Sequence, residues 1–141
     1  MKSMRSSLGF TLVEIMIVVA IIGGLMAVLG VGAANQFKKS KVEQAKIKVK
    51  NLANALEFFN RDCGNYPTTE QGLKALSVSP GADACANWGP EAYMKEKELK
   101  DPWNKEMIYE SDGSKFTVKS LGADKKEGGD GYDHDISSDD L

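Results

Sequence analysis

From Ile15 to Ala34 the chain is an unbroken run of apolar residues and glycine, and the one charged side chain between Phe10 and Ala34 is Glu14. A run of about 20 such residues matches the roughly 30 Å hydrocarbon thickness of a bilayer. It is too long for a signal-peptide core of roughly 7 to 15 residues. The segment before it, Met1 to Gly9, is short, polar and basic at Lys2 and Arg5, as an export leader requires. An ordinary signal peptidase has a small-residue target of its own at Val31-Gly32-Ala33-Ala34. Glu14 argues against that reading, because a carboxylate at the centre of a bilayer costs up to roughly 2.5 to 3.5 kcal/mol and is retained where it has a partner. A disposable leader has no use for it.

The apolar run also accounts for the composition. The chain is 42% hydrophobic yet has a mean hydropathy of -0.32, so the remainder beyond Ala34 is a polar domain. Its 141 residues hold one domain beside the apolar segment. With 18 basic and 20 acidic residues the net charge is -2, and no global basic field suits the chain to nucleic acid.

Beyond the span, Val42, Ala45, Val49, Leu52, Leu56 and Phe59 recur at alternating three- and four-residue steps, which places them on one helical stripe. Lys46, Lys48, Lys50, Asn54 and Asn60 leave the rest polar. Joined to the span, this predicts a helix of about 50 residues, roughly 75 Å long at 1.5 Å per residue. Gly64, Asn65 and Pro67 end it. Thr68-Thr69-Glu70-Gln71 then reads as a capping box opening a short helix through Leu73 and Leu76. Residues 77–100 are irregular, with Trp88 and Tyr93 expected to pack on the domain, and Asp101-Pro102-Trp103-Asn104 is a turn signal. Met107–Glu110 and Lys115–Leu121 read as two strands around Asp112-Gly113. The class is α+β: a long helix on a small antiparallel sheet.

Cys63 and Cys85 belong to no Cys-x-x-Cys motif and have no histidine at zinc-finger spacing. The loop-like segment between them and the export signal favour a disulfide, worth on the order of 3 kcal/mol in an oxidising compartment. The sole histidine, His134, lies in an acidic loop, and no serine or cysteine has a base and orienter around it, so the chain reads as something other than an enzyme.

The acidic C-terminus admits two readings. Clustered acids form a solvated tail by default. Against that, Gly128, Gly129 and Gly131 permit tight reversals, Asp130, Asp133 and Asp135 can converge with Asp124, and Ile136 offers an apolar anchor. Hard oxygen ligands on a flexible loop suit Ca²⁺, and the spacing is not that of an EF-hand.

Ser7-Leu8-Gly9-Phe10-Thr11-Leu12-Val13-Glu14 resembles the processing site of type IV pilins and pseudopilins. The resemblance implies that a prepilin peptidase cuts between Gly9 and Phe10, that Phe10 is then N-methylated, and that Glu14 pairs in assembly with the N-terminus of a neighbouring subunit. Tyr66-Pro67-Thr68-Thr69-Glu70-Gln71-Gly72-Leu73 narrows the likeness to the major pseudopilins of type II secretion. The acidic loop is similar to their calcium loop, which implies Asp124, Asp130, Asp133, Asp135 and the Leu121 carbonyl as ligands. Lys125-Lys126, Asn104-Lys105-Glu106 and the two cysteines depart from that pattern.

The resemblance implies a type IV pilin-like fold. It divides the chain into a leader over 1–9, a transmembrane and assembly helix over 10–34, and a periplasmic domain over 35–141. It further implies a single-pass inner-membrane protein that polymerises with itself, meets minor pseudopilins and an inner-membrane assembly platform, and drives protein export across the outer membrane. Lys38, Lys39 and Lys41 sit on the exported flank, against the positive-inside tendency, although long domains translocate largely regardless of it. Two other readings are a type IV pilin for adhesion, motility or DNA uptake, and an exported or membrane-anchored calcium-binding domain with an ordinary signal sequence.

Overall fold

The computed structural model describes residues 9–141, so the leader expected over 1–9 lies outside the described residues except for Gly9. The chain divides into two compact units, the first ending at Phe37 and the second spanning Lys38–Leu141, three residues beyond the expected boundary. One helix, α1, runs over Leu12–Cys63. It begins where Thr11 Oγ1 accepts the Glu14 N–H at 3.2 Å, a side-chain cap that satisfies one of the first turn's free donors. It stops at Gly64, whose φ of 83° suits a residue without Cβ and whose N–H reaches the Asn60 carbonyl at 2.7 Å.

Within Lys38–Leu141 the helix buries the expected stripe: Ala45, Val49, Leu52, Leu56 and Phe59 are inaccessible or nearly so, and Val42 is partly covered. They pack on Leu73, Leu76, Met107, Tyr109, Val118 and Ile136. Fully burying a side chain of this size stabilises by roughly 1.5 to 3 kcal/mol, so this seam dominates the domain's stability. Lys48 donates from Nζ to the Lys100 carbonyl at 2.6 Å, tying α1 to the segment before the sheet.

The sheet has three antiparallel strands in the order β1-β2-β3: β1 (Ile108–Ser111), β2 (Phe116–Ser120) and β3 (Ile136–Ser137). Tyr109 faces Val118 in the β1–β2 register, which sets both inward. Asp112 shapes the hairpin: its Oδ1 accepts from the Ser114 N–H and hydroxyl and from the Lys115 N–H. Those bonds, led by that of Lys115, hold its carboxyl down at about 2.

Two expectations need correction. The Thr68–Gln71 capping box forms, with Gln71 Oε1 accepting the Thr68 N–H at 2.8 Å and Thr68 Oγ1 accepting the Gln71 N–H at 3.4 Å, but it closes a turn and not a helix. Gly72, at φ 61° and ψ -175°, breaks the backbone there, and a single 3₁₀ turn succeeds it over Leu73–Leu76. The third strand is the other: Ile136–Ser137 pairs with Ser120 and Lys119 of β2, so the residue expected to be an anchor is also a rung of the sheet.

Candidate functional site

The N-terminal half of α1 is built for contact with something other than this chain. An 18-residue window of it has a mean hydropathy of 2.7 and none of that window is buried, making α1 long and apolar enough to cross a membrane. Phe10 is 78% exposed, and Leu12 to Met26 present a series of bare aliphatic side chains. Glu14 falls in the first turn, where a carboxylate favours the positive end of the helix dipole. Gly9 precedes it, and among the described residues nothing lies within 4 Å of a Cβ built on it.

The disulfide expected between Cys63 and Cys85 is present, with the two Cα atoms 4.8 Å apart. It fastens the last residue of α1 to the irregular segment over 77–100. That segment is further held by Trp88 Nε1 donating to the Ala75 carbonyl at 2.9 Å, and by Tyr93 OH donating to Asp62 Oδ2 at 3.0 Å. Tyr93 also meets Phe59 and Trp88 edge to face, each at 5.7 Å.

The acidic loop is folded back, from Leu121 at the end of β2 to Ile136 at the start of β3. Ala123 N–H bonds the Tyr132 carbonyl at 3.2 Å, and Asp133 N–H bonds that of Asp130 at 3.2 Å. Two glycines make the close approach possible. A Cβ on Gly122 would lie 2.6 Å from the Asp133 carbonyl oxygen, and one on Gly129 would lie 2.7 Å from the same atom. Lys125 sits at φ 62°, a left-handed position that side-chain-bearing residues adopt rarely.

The four carboxylates have different surroundings. Asp124 Oδ1 accepts the Lys126 N–H at 3.0 Å, and Asp135 Oδ2 accepts the Gly128 N–H at 3.1 Å. Asp130 and Asp133 are exposed. Among the described residues no three acidic, histidine or cysteine side chains are grouped as a metal site, so Asp124, Asp130, Asp133 and Asp135 are on one loop without converging. Asp135 stands apart: its Oδ1 is buried and has no hydrogen-bond partner. An orphaned carboxylate oxygen has the donor chemistry that a hard cation takes. The Leu121 side chain is buried at the root of the loop.

One functional support was not read from the sequence. Asp101, 4% exposed, accepts from the Trp103 and Lys105 N–H groups at 2.9 and 2.8 Å through Oδ1, and from the Ser120 hydroxyl at 3.1 Å through Oδ2. It thereby fixes the residue immediately before the acidic loop. The Asp-Pro dipeptide signalled the turn and was silent about the second oxygen.

Comparison with known proteins bears on both halves of the chain. The family described as type II secretion system (T2SS), protein G matches residues 33–139, and the prokaryotic N-terminal methylation motif matches residues 4–34. Type II secretion system core protein G of Pseudomonas aeruginosa is 41% identical over 137 residues, covering 95% of this chain and 96% of that protein. The protein of the same description from Vibrio cholerae is 39% identical over 140 residues, covering 98% and 95%. The crystal structure of the major pseudopilin of enterohaemorrhagic Escherichia coli superposes with a TM-score of 0.58 at 24% identity, over 77% of this chain and 94% of that one, and shows the shared fold.

Proposed function

Because this chain belongs to the type II secretion system protein G family, we propose that it is the major subunit of a pseudopilus, a periplasmic filament whose growth drives folded proteins across the outer membrane. The observation that carries the reading is α1 itself: an apolar, wholly uncovered segment bearing the methylation motif continues without a break into the helix of the protein G domain. A free-standing calcium-binding domain has no need of such a continuation. The relatives' descriptions favour type II secretion over a type IV pilus for adhesion, motility or DNA uptake.

In this reading a prepilin peptidase cuts between Gly9 and Phe10, and Phe10 becomes the methylated N-terminus. Residues 10–34 hold the subunit in the inner membrane by a single pass and later pack in the filament, and 35–141 stand in the periplasm. The apolar side chains of α1 supply area for contact with lipid and then with other copies. Glu14 supplies register, because a carboxylate removed from water is stable only beside a cation, and a neighbouring copy's N-terminal ammonium is one. Minor pseudopilins and an inner-membrane assembly platform are the other partners. The role is mechanical, and no bond-making step is assigned to any residue.

Calcium is part of the proposal. Asp124, Asp130, Asp133, Asp135 and the Leu121 carbonyl would hold it, and the unpartnered Asp135 Oδ1 is what supports that assignment. When bound, Ca²⁺ supplies the positive charge that lets like-charged carboxylates approach. The chain's own contribution is the fold of the loop: Gly122 and Gly129 let the Asp133 main chain fold inward, and the β2–β3 pairing closes the loop behind Asp135.

The test of the assembly reading is Glu14→Ala in the full chain, produced with its secretion machinery. Cleavage and membrane retention should persist while filaments fail to form; filaments of normal yield and length would refute the role given to Glu14.

A further inference from the structure

Lys38, Lys39 and Lys41 follow closely on the apolar run, and the role given to α1 makes no use of them. All three are exposed. The first acidic residue after them, Glu43, pairs with Lys46 at 3.2 Å, and among the described residues neither that ion pair nor the one between Arg61 and Asp62 includes any of the three. Before them, the one acid from Phe10 onward is Glu14. The segment that leaves the apolar run therefore carries three unmatched positive charges.

Their register excludes a packed helix seam. The buried stripe of α1 runs through Ala45, Val49, Leu52, Leu56 and Phe59, with Val42 partly covered at its start, and Lys38 holds the next place in that spacing, four residues before Val42. At 3.6 residues per turn, Lys41, Lys38 and Lys39 spread over about 160° of the helix circumference. A partner protein meets one face of a helix, whereas a layer of lipid headgroups surrounds it. Lys38 comes four residues after Ala34 and Lys41 seven, about 6 and 10 Å of chain at 1.5 Å per residue. A bilayer has about 30 Å of hydrocarbon in a total of about 40 to 45 Å, which leaves roughly 5 to 8 Å of headgroup on each side. A lysine's four-carbon stem carries its ammonium back into that layer.

We propose that Lys38, Lys39 and Lys41 form a collar that binds anionic phospholipid headgroups at the surface from which α1 emerges. The inference rests on residues 10–34 crossing the membrane and deepens that reading by naming the lipid class. It also gives a use to charges that stand on the exported flank against the positive-inside tendency.

The experiment reconstitutes the full chain in vesicles of phosphatidylcholine with a minority of phosphatidylglycerol, carrying a trace of one or the other lipid with a spin label. Spin resonance measures how much of each label the protein holds. Phosphatidylglycerol should be held about fivefold more than phosphatidylcholine, the ratio that corresponds to roughly 1 kcal/mol for a lysine near an anionic surface. The preference should fade at molar salt, where the Debye length is about 3 Å. Combining Lys38→Gln, Lys39→Gln and Lys41→Gln should remove most of it without changing the melting temperature, and arginine at the same three places should keep it. Lys46→Gln, which removes a lysine already paired with Glu43, should leave it as it was. Inorganic phosphate should displace the label no more than chloride does at equal ionic strength; a larger displacement would make free phosphate the ligand and overturn the lipid. Equal holding of the two labels by the unaltered chain, or a preference undiminished in the triple glutamine variant, overturns the collar and leaves the membrane span standing. A chain that alkaline carbonate strips from the vesicles removes the span, and the collar with it.

Discussion

Replacing Asp101 by alanine removes a carboxylate that is buried in the domain. Its carboxylate accepts three hydrogen bonds, from Trp103, Lys105 and Ser120, and Ser120 is 1% exposed. Removing the carboxylate leaves the Ser120 hydroxyl without its acceptor in the interior and two peptide N–H groups to find water. A stranded buried donor costs roughly 1 to 3 kcal/mol, and the two N–H groups recover part of their loss, so the sum is about 3 kcal/mol. Against a total stability of roughly 5 to 15 kcal/mol this is a large share. At roughly 4 to 8 °C per kcal/mol for a domain near this size, the melting temperature should fall by about 12 to 24 °C.

Asp101→Asn is the informative control. Its amide oxygen still accepts from Trp103 and Lys105, and its NH₂ donates to Ser120 once that hydroxyl rotates, so about 1 kcal/mol should be lost with the charge. Urea unfolding of the Lys38–Leu141 domain measures all three proteins. A loss below about 1 kcal/mol for Asp101→Ala, or an Asn variant as damaged as the Ala variant, would refute the argument that acceptor geometry at Asp101 holds the sheet to the loop.

Calcium should raise the domain's melting temperature more than magnesium does, by about 2.7 kcal/mol of stabilisation at 100 times the dissociation constant, and Asp135→Ala should remove the difference; calorimetry finding no binding at millimolar Ca²⁺ would restore the solvated-tail reading. Cys63→Ser with Cys85→Ser should cost roughly 3 kcal/mol relative to the oxidised chain, read by the same urea titration with and without reductant, and indifference to reductant would deny the bond its role. Burial raises the Tyr109 phenol above its ordinary 10.0, so the folded state keeps that proton more tightly than the unfolded one. The stability it contributes is full below pH 10 and is lost as pH rises through the folded value, and Tyr109→Phe should flatten that alkaline decline.

What could be read in the sequence was periodic or punctuated. The α1 stripe and the β1–β2 hairpin each repeat a pattern that elementary geometry enforces, and the structure places both within a residue or two of the expected bounds. β3 was missed because two residues, Ile136 and Ser137, have no period to recognise; they are a strand only because β2 lies beside them. The Thr68–Gln71 motif was read correctly as a set of hydrogen bonds and incorrectly as a helix start, since the conformation of Gly72 outweighs the cap. At the acidic loop, the glycines and aspartates were visible as composition. Which carboxyl oxygen is left unpartnered depends on how the Gly122 and Gly129 main chain folds, and spacing does not carry that.

The claim on which the rest depends is that α1's apolar half is retained as a working part of the protein. The intact mass of the protein extracted from membranes decides it. A chain beginning at Phe10 and carrying one added methyl group, with residues 10–34 still attached, is the expected result. A mature chain beginning near Ala34, released from the membrane, would contradict the account.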